Sequence, residues 1–249
     1  MLVGHVDLST KCNAAQWSDT KIAGPFVIRA DFSLTNYNQL IRQLGQLQND
    51  LVHTLGVHPA REQISVYLFR NNSRYRHFLN TNFPNIAYRR ALYIKINNDP
   101  GIVLAYRSRE LPVDLRHECT HALLHAVLPV VPLWLDEGLA EYFEAPPSDR
   151  KSKNPHMSGT KWSVWLEYYE NLEYLEQLQD FSKMTKSDYR NAWAWVHFML
   201  HGPMAARREL PQFLADIQAN TPPGLLSQRL ARQIPHLNAA FRDHFRDWR

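Results

Sequence analysis

The chain reads as an α+β protein: a mixed sheet with its helices comes first, and a helical region follows. Three observations predict this class. Between residues 24 and 108, apolar runs of strand length alternate with helical patterns. After about residue 110 the strand signal stops and the periodic segments are helical. At the junction stands LRHECTHALLH (115–125), with histidines at 117, 121 and 125.

The elements follow in order. GPFVIRA (24–30) is an apolar run behind Gly-Pro and reads as a strand. YNQLIRQLGQLQNDLVHTLG (37–56) spaces Leu40, Ile41, Leu44, Leu47, Leu51 and Leu55 as one helix face, and Gly56 suits its end. QISVYLF (63–69) is a second strand, and SRYRHFLNT (73–81) a short helix behind a capping Ser73. RALYIKI (90–96) and GIVLAYRS (101–108) are strands that NNDPG joins as a hairpin. LPVDLRHECTHALLHAVL is a helix with Pro112 and Asp114 in its first turn and Pro129 and Pro132 past its end. LWLDEGLAEYFEA is a second helix, stopped by Pro146 and Pro147. The polar, breaker-rich stretch 146–161 reads as a loop or mobile flap. Further helices are expected over 162–180, 188–201, 205–219, 223–233 and 236–248. The organisation is an α/β subdomain at 1–110, a helix pair at 111–145, the flap, and a helical subdomain at 162–249. Clefts at such junctions favour sites.

Composition narrows the classes. The chain has 249 residues, 45% of them hydrophobic, which is enough apolar material for a core. An aromatic content of 12% argues against disorder. The net charge of +4 is mild, and RYRHF (74–78), YRR (88–90) and AARRE (205–209) read as solvated surface, so no nucleic-acid partner is expected. Two cysteines, Cys12 and Cys119, imply no disulfide framework. No signal peptide is visible and no stretch reaches the length of a membrane span. The expected location is therefore cytoplasmic by default, or extracytoplasmic if the chain is a fragment. Oligomeric state is not readable.

The histidines carry chemistry. His117 and His121 are i and i+4 on a helix, so their rings project from one face about 6 Å apart along the axis. Two such imidazoles can converge on one metal ion. Glu118, at the edge of that face, can reach a metal-bound water without binding the metal, the arrangement in which the glutamate is general base. The bland alternative is a half-exposed helix decorated with polar groups. Leu115, Ala122, Leu123, Ala126 and Val127 argue against it, since buried polar groups demand partners. His125 lies two turns from His117, about 12 Å along an unbroken helix, and reads as an ordinary helix-face or core histidine. Cys119 reads as a buried helix residue.

The third ligand comes from PLWLDEGLAEYFE. Glu137 follows His121 by sixteen residues, on the next helix, and an antiparallel return brings it opposite the histidines. Two histidines and a glutamate leave a fourth zinc position open, as a catalytic site requires. Gly138 allows close helix approach. Glu141, one turn on, is an alternative ligand, but it suits better the role of acceptor for the free N–H of a ligating histidine, and Asp136 can do the same for the other.

RHECTHALLH followed by PLWLDEGLAEYFE resembles the gluzincin zinc metallopeptidases, particularly the bacterial peptidase MA-like domains. The W-L-x-E-G-x-A-x-Y pattern after H-E-x-x-H is shared in form with the zinc aminopeptidases. The likeness is strong over about 111–144 and looser over 24–110 and 188–201. It implies a small zincin-like fold whose edge strand lines the cleft. It also implies zinc on His117, His121 and Glu137, Glu118 as base, and a tyrosine or histidine from the helical region as oxyanion donor. Tyr189 matches that tyrosine, with His197 and His201 as alternatives and Ser187 as the expected cap of their helix.

The expected function is a zinc-dependent hydrolase of peptide bonds. The absence of an amine-binding motif leans it toward an endopeptidase acting on peptides or proteins. The alternative is a non-catalytic binding or scaffold protein of the same fold with a structural or vestigial metal site. A basic nucleic-acid binder in which the motif is accidental is the third reading.

Overall fold

The computed structural model describes residues 17–96 and 100–248. Cys12, the N-terminal stretch read for a signal peptide and residues 97–99 of the predicted turn lie outside the described residues. The strands are β1 (Asp19–Ala23), β2 (Phe26–Ala30), β3 (Ile64–Phe69), β4 (Ala91–Ile94) and β5 (Ile102–Tyr106). They form one sheet in the order β1-β2-β3-β5-β4. The central pairs β2–β3 and β3–β5 are parallel. The outer pairs β1–β2 and β4–β5 are antiparallel, the second being the predicted hairpin. Parallel neighbours need crossover connections, and α1 (Asn38–Leu55) and α2 (Asn72–Asn82) supply them.

The crossovers cover both faces of the sheet. Along β3, Ile64, Val66 and Leu68 point into one apolar cluster while Tyr67 and Phe69 point into another, the period of two that a strand imposes. Leu40, Leu44, Leu47, Leu51 and Leu55 of α1 pack into the first cluster. Tyr75, Phe78 and Leu79 of α2 close the second.

The remaining helices among the described residues are α3 (Leu111–Val127), α4 (Leu133–Phe143), α5 (His156–Trp165), α6 (Leu172–Glu176), α7 (Lys186–His201), α8 (Met204–Gln218), α9 (Leu226–Gln233) and α10 (Leu237–Asp247). The first apolar cluster continues from α1 through α3, α4 and α7 to Phe245 of α10. None of the described helices is long and apolar enough to cross a membrane. Gly138 is needed where α4 crosses α7, since a Cβ there would stand 2.6 Å from the Ala192 carbonyl oxygen.

Several expectations are corrected. β1 went unread because its DTKIA sequence is largely exposed and carries no apolar alternation. Asn71, not Ser73, caps α2, accepting from the Arg74 N–H. Residues 156–161 are the first turns of α5 and not part of a flap. The stretch before them is anchored: buried Arg150 donates to Asp50 Oδ2 at 2.7 Å, and buried Asn154 to the Glu141 carbonyl at 3.0 Å. The helix expected over 162–180 is broken into the end of α5 and the short α6. Thr185, not Ser187, caps α7, in a reciprocal box with Asp188.

Candidate metal centre

Helix α3 carries His117 and His121 on the face turned to α4, and the short return through Pro129 and Pro132 brings Glu137 to meet them. The two Nε2 atoms lie 3.2 Å apart. Glu137 Oε2 lies 3.5 Å from His117 Nε2 and 3.7 Å from His121 Nε2. Donors bonded to one tetrahedral ion at about 2.0–2.1 Å are about 3.3 Å apart, so this triangle has the size of one face of such a site. The Glu137 oxygen is buried and has no hydrogen-bond partner, a costly state for a carboxylate that a shared cation relieves. The residues therefore fit a metal ion.

Carboxylates hold the outer edge of each ring. Glu144 Oε2 meets His117 Nδ1 at 2.9 Å. Asp136 Oδ2 lies 3.1 Å from His121 Nδ1, a charge contact without hydrogen-bond alignment, and accepts from or pairs with His125 Nε2 at 2.9 Å. Such partners fix ring orientation and turn the Nε2 lone pair inward. Asp136 thus stands beside His121 without the hydrogen bond expected of it. Glu141 serves another ring: its Oε2 meets His156 Nε2 at 2.8 Å, and Glu144 is the partner of His117. Sequence reading missed Glu144 and His156. The signal for Glu144 was its spacing, seven residues after Glu137 and so on the same helix face.

The same carboxylates set the charge. Burial pulls the His117 pKa down, but Glu137 and Glu144 overcome it and leave the ring well above its ordinary value. Burial likewise opposes charging of His121, and Asp136 raises it to about 10. Burial pushes Glu137 up, but the two histidines bring it down to about 2. Without an ion, the cluster balances its carboxylates with protons on imidazole; a metal replaces those protons.

Glu118 leaves the donor triangle for the sheet. Its Oε2 accepts from the Tyr93 backbone N–H of β4 at 2.7 Å. β4 is an edge strand, paired on one side by β5. A cleft of about 250 Å³ opens here, lined by His117, Glu118, His121, Asp136 and Glu137 from the helices, Leu92 and Tyr93 from β4, and Arg89 and Phe181. His125 stays outside the triangle, as expected, and stacks on Tyr93 with ring centroids 5.7 Å apart.

Tyr189, in the first turn of α7, is half-buried, packs edge-on to Phe181 and is not part of the cleft lining. Burial raises its phenol pKa, Glu137 raises it further and Arg89 lowers it, so the hydroxyl lies within electrostatic reach of the site. The alternatives His197 and His201 are elsewhere. His197 Nε2 meets the Lys151 carbonyl at 2.9 Å, and His201 Nε2 meets Tyr142 Oη at 2.9 Å. Cys119 is buried and burial pushes its thiol well up, which fits the inert role expected for it. No protein-family model matches the chain, and no curated protein matches it.

Proposed function

We propose that the protein is a zinc-dependent peptidase with a small gluzincin-type fold. One observation carries the reading: three inward donors of tetrahedral spacing share a cleft with a carboxylate that is not one of them. A purely structural metal site needs no carboxylate beside its donors, whereas a hydrolytic one needs a base there. A zinc ion on His117, His121 and Glu137 would act as a Lewis acid and bring the pKa of water to near neutrality.

The chain's own residues do the rest. Glu118 accepts the proton of the attacking water and passes it to the leaving amine. The Tyr93 N–H pins one of its oxygens and leaves the other to take that proton. Glu144 and Asp136 hold the histidine rings in place. Tyr189 keeps its proton, because burial and Glu137 raise its pKa, and it donates to the carbonyl oxygen as charge develops there. The open side of β4 lines the cleft and can receive an extended peptide as an added strand. No amine-binding motif closes one end, which favours internal cleavage.

The test is a peptide-library digest by wild type and Glu118→Gln, with metal measured on both. Cleavage by wild type alone, at equal metal content, is expected. Undiminished cleavage by Glu118→Gln sinks the assignment. Stoichiometric metal with no peptide cleaved by either would favour a binding protein with a structural site.

A further inference from the structure

Among the described residues, Arg89 is a cation without an anion of its own. It lines the cleft beside Glu118 and Glu137, yet among the described residues no carboxylate lies within salt-bridge distance of it. The next residue shows the contrast: Arg90 makes two bonds to Asp114, each 2.7 Å. The acidic groups of the cleft are committed elsewhere. Glu118 is held by the Tyr93 N–H, Asp136 by His121 and His125, and Glu137 by the two inward imidazoles.

Arg89 is nonetheless oriented. Its guanidinium carbon stands 3.6 Å from the centroid of the Phe181 ring. Stacking occupies a face of the guanidinium, and one edge bonds the Tyr189 hydroxyl, while its remaining in-plane N–H groups are paired with no carboxylate. Those donors match a planar, two-oxygen anion, which they can bind through two parallel charge-assisted bonds. An ammonium in the same place would lack that geometry. Arg89 is the one arginine or lysine of the described cleft lining, which places a fixed positive charge beside the donor triangle.

We propose that Arg89 recognises a carboxylate of the substrate next to the scissile bond, making the enzyme selective for acidic peptides. The inference rests on the peptidase reading above. The carboxylate has two sources, an Asp or Glu side chain or the free C-terminus of the peptide. Both present the same chemistry to the guanidinium.

The probes are alanine-rich hexapeptides in matched pairs: Glu against Gln on either side of the cleavage point, and free acid against amide at the C-terminus. Two readouts are needed. The first is kcat/KM for wild type, Arg89→Gln and Arg89→Lys. The second is the Kd of each peptide for the zinc-loaded Glu118→Gln protein, with and without Arg89→Gln. We expect wild type to prefer the carboxylate member of a pair by roughly ten- to a hundredfold. Arg89→Gln should erase most of that preference, and Arg89→Lys should restore only part of it. Discrimination in the Glu/Gln pair assigns a side chain; discrimination in the acid/amide pair assigns the C-terminus. Equal losses on both members of every pair would overturn the proposal and make Arg89 a positioning residue for Tyr189. So would a wild type indifferent to the carboxylate. If no peptide is cleaved at all, the peptidase reading fails, but the binding readout still decides: carboxylate-dependent affinity lost with Arg89→Gln supports the recognition role, and its absence overturns it.

Discussion

Two helices of this protein carry histidines four residues apart, and they put them to opposite uses. On α3 the pair is His117 and His121, in HECTH; on α7 it is His197 and His201, in HFMLH. On α3 the rings face carboxylates from α4, and burial loses to them, so both rings hold protons readily. On α7 the neighbours are His244, Trp193, Phe245 and Trp248, and burial wins. It lowers His197 to about 3, against the Lys151 carbonyl that raises it, and His201 to about 4, with the Lys151 charge adding to the fall. His244 joins them, at about 4. Spacing alone therefore does not make a metal site. The adjacent helix decides, by offering an acid or an aromatic ring.

The comparison can be broken most sharply at Glu118. Glu118→Gln should keep its metal and lose about 10²- to 10⁴-fold in peptide turnover, the usual worth of a general base. On α7, His201→Ala should leave both metal content and the turnover chemistry in place, read by the same assay. Next comes the second layer. Glu144→Gln takes the charge from the acceptor for His117 Nδ1 and should weaken metal affinity about 10- to 100-fold in a chelator competition, as such outer partners typically do. Glu141→Gln, whose acceptor serves His156, should cost less in the same assay.

Gly138→Ala tests the scaffold that both helices share. Its new methyl would meet the Ala192 carbonyl, so α4 must move off α7. We expect a loss of about 1–3 kcal/mol in denaturant unfolding, the cost of overpacking.

Acid and alkali should separate the two clusters in protein stripped of metal. The α7 histidines have folded pKa values below the ordinary 6.5. Their stability is full above about 6.5 and is lost as pH falls toward 4, because only the unfolded chain takes up the protons. His121 has the opposite sign, with a folded value of about 10. Its contribution is full below about 6.5 and fades as pH rises through 10. Thermal unfolding across this range should show both limbs. His244→Phe should flatten the acid limb, and added zinc the alkaline one.

How much of this could be read from residues alone follows from distance along the chain. His117, Glu118 and His121 lie within one helix, where a fixed pitch converts spacing into geometry. Glu137 was reachable because a short proline-marked return leaves its helix little choice of direction. Strands β2, β3, β4 and β5 announce themselves by apolar runs, since both faces of the sheet are covered. What stayed hidden depended on side-chain partners across elements. Glu141 lies on α4 and Glu144 caps its C-terminal end, and only the position of His156 on α5 shows which one is free for His117. Arg89 looked like one more solvated charge in a basic cluster, and Phe181, ninety-two residues away in sequence, makes it part of a cleft. The 146–161 stretch looked loose because its polar residues are those of a loop, yet Arg150 and Asn154 are buried anchors.

The most direct test of the difference between the two helices is metal content. The protein would be purified without a histidine tag and without added metal, as wild type, His121→Ala and His201→Ala. We expect about one zinc per chain in wild type and in His201→Ala, and none in His121→Ala. A well-folded wild type that holds no zinc and takes up none on addition would contradict this expectation, as would equal zinc in the two histidine variants.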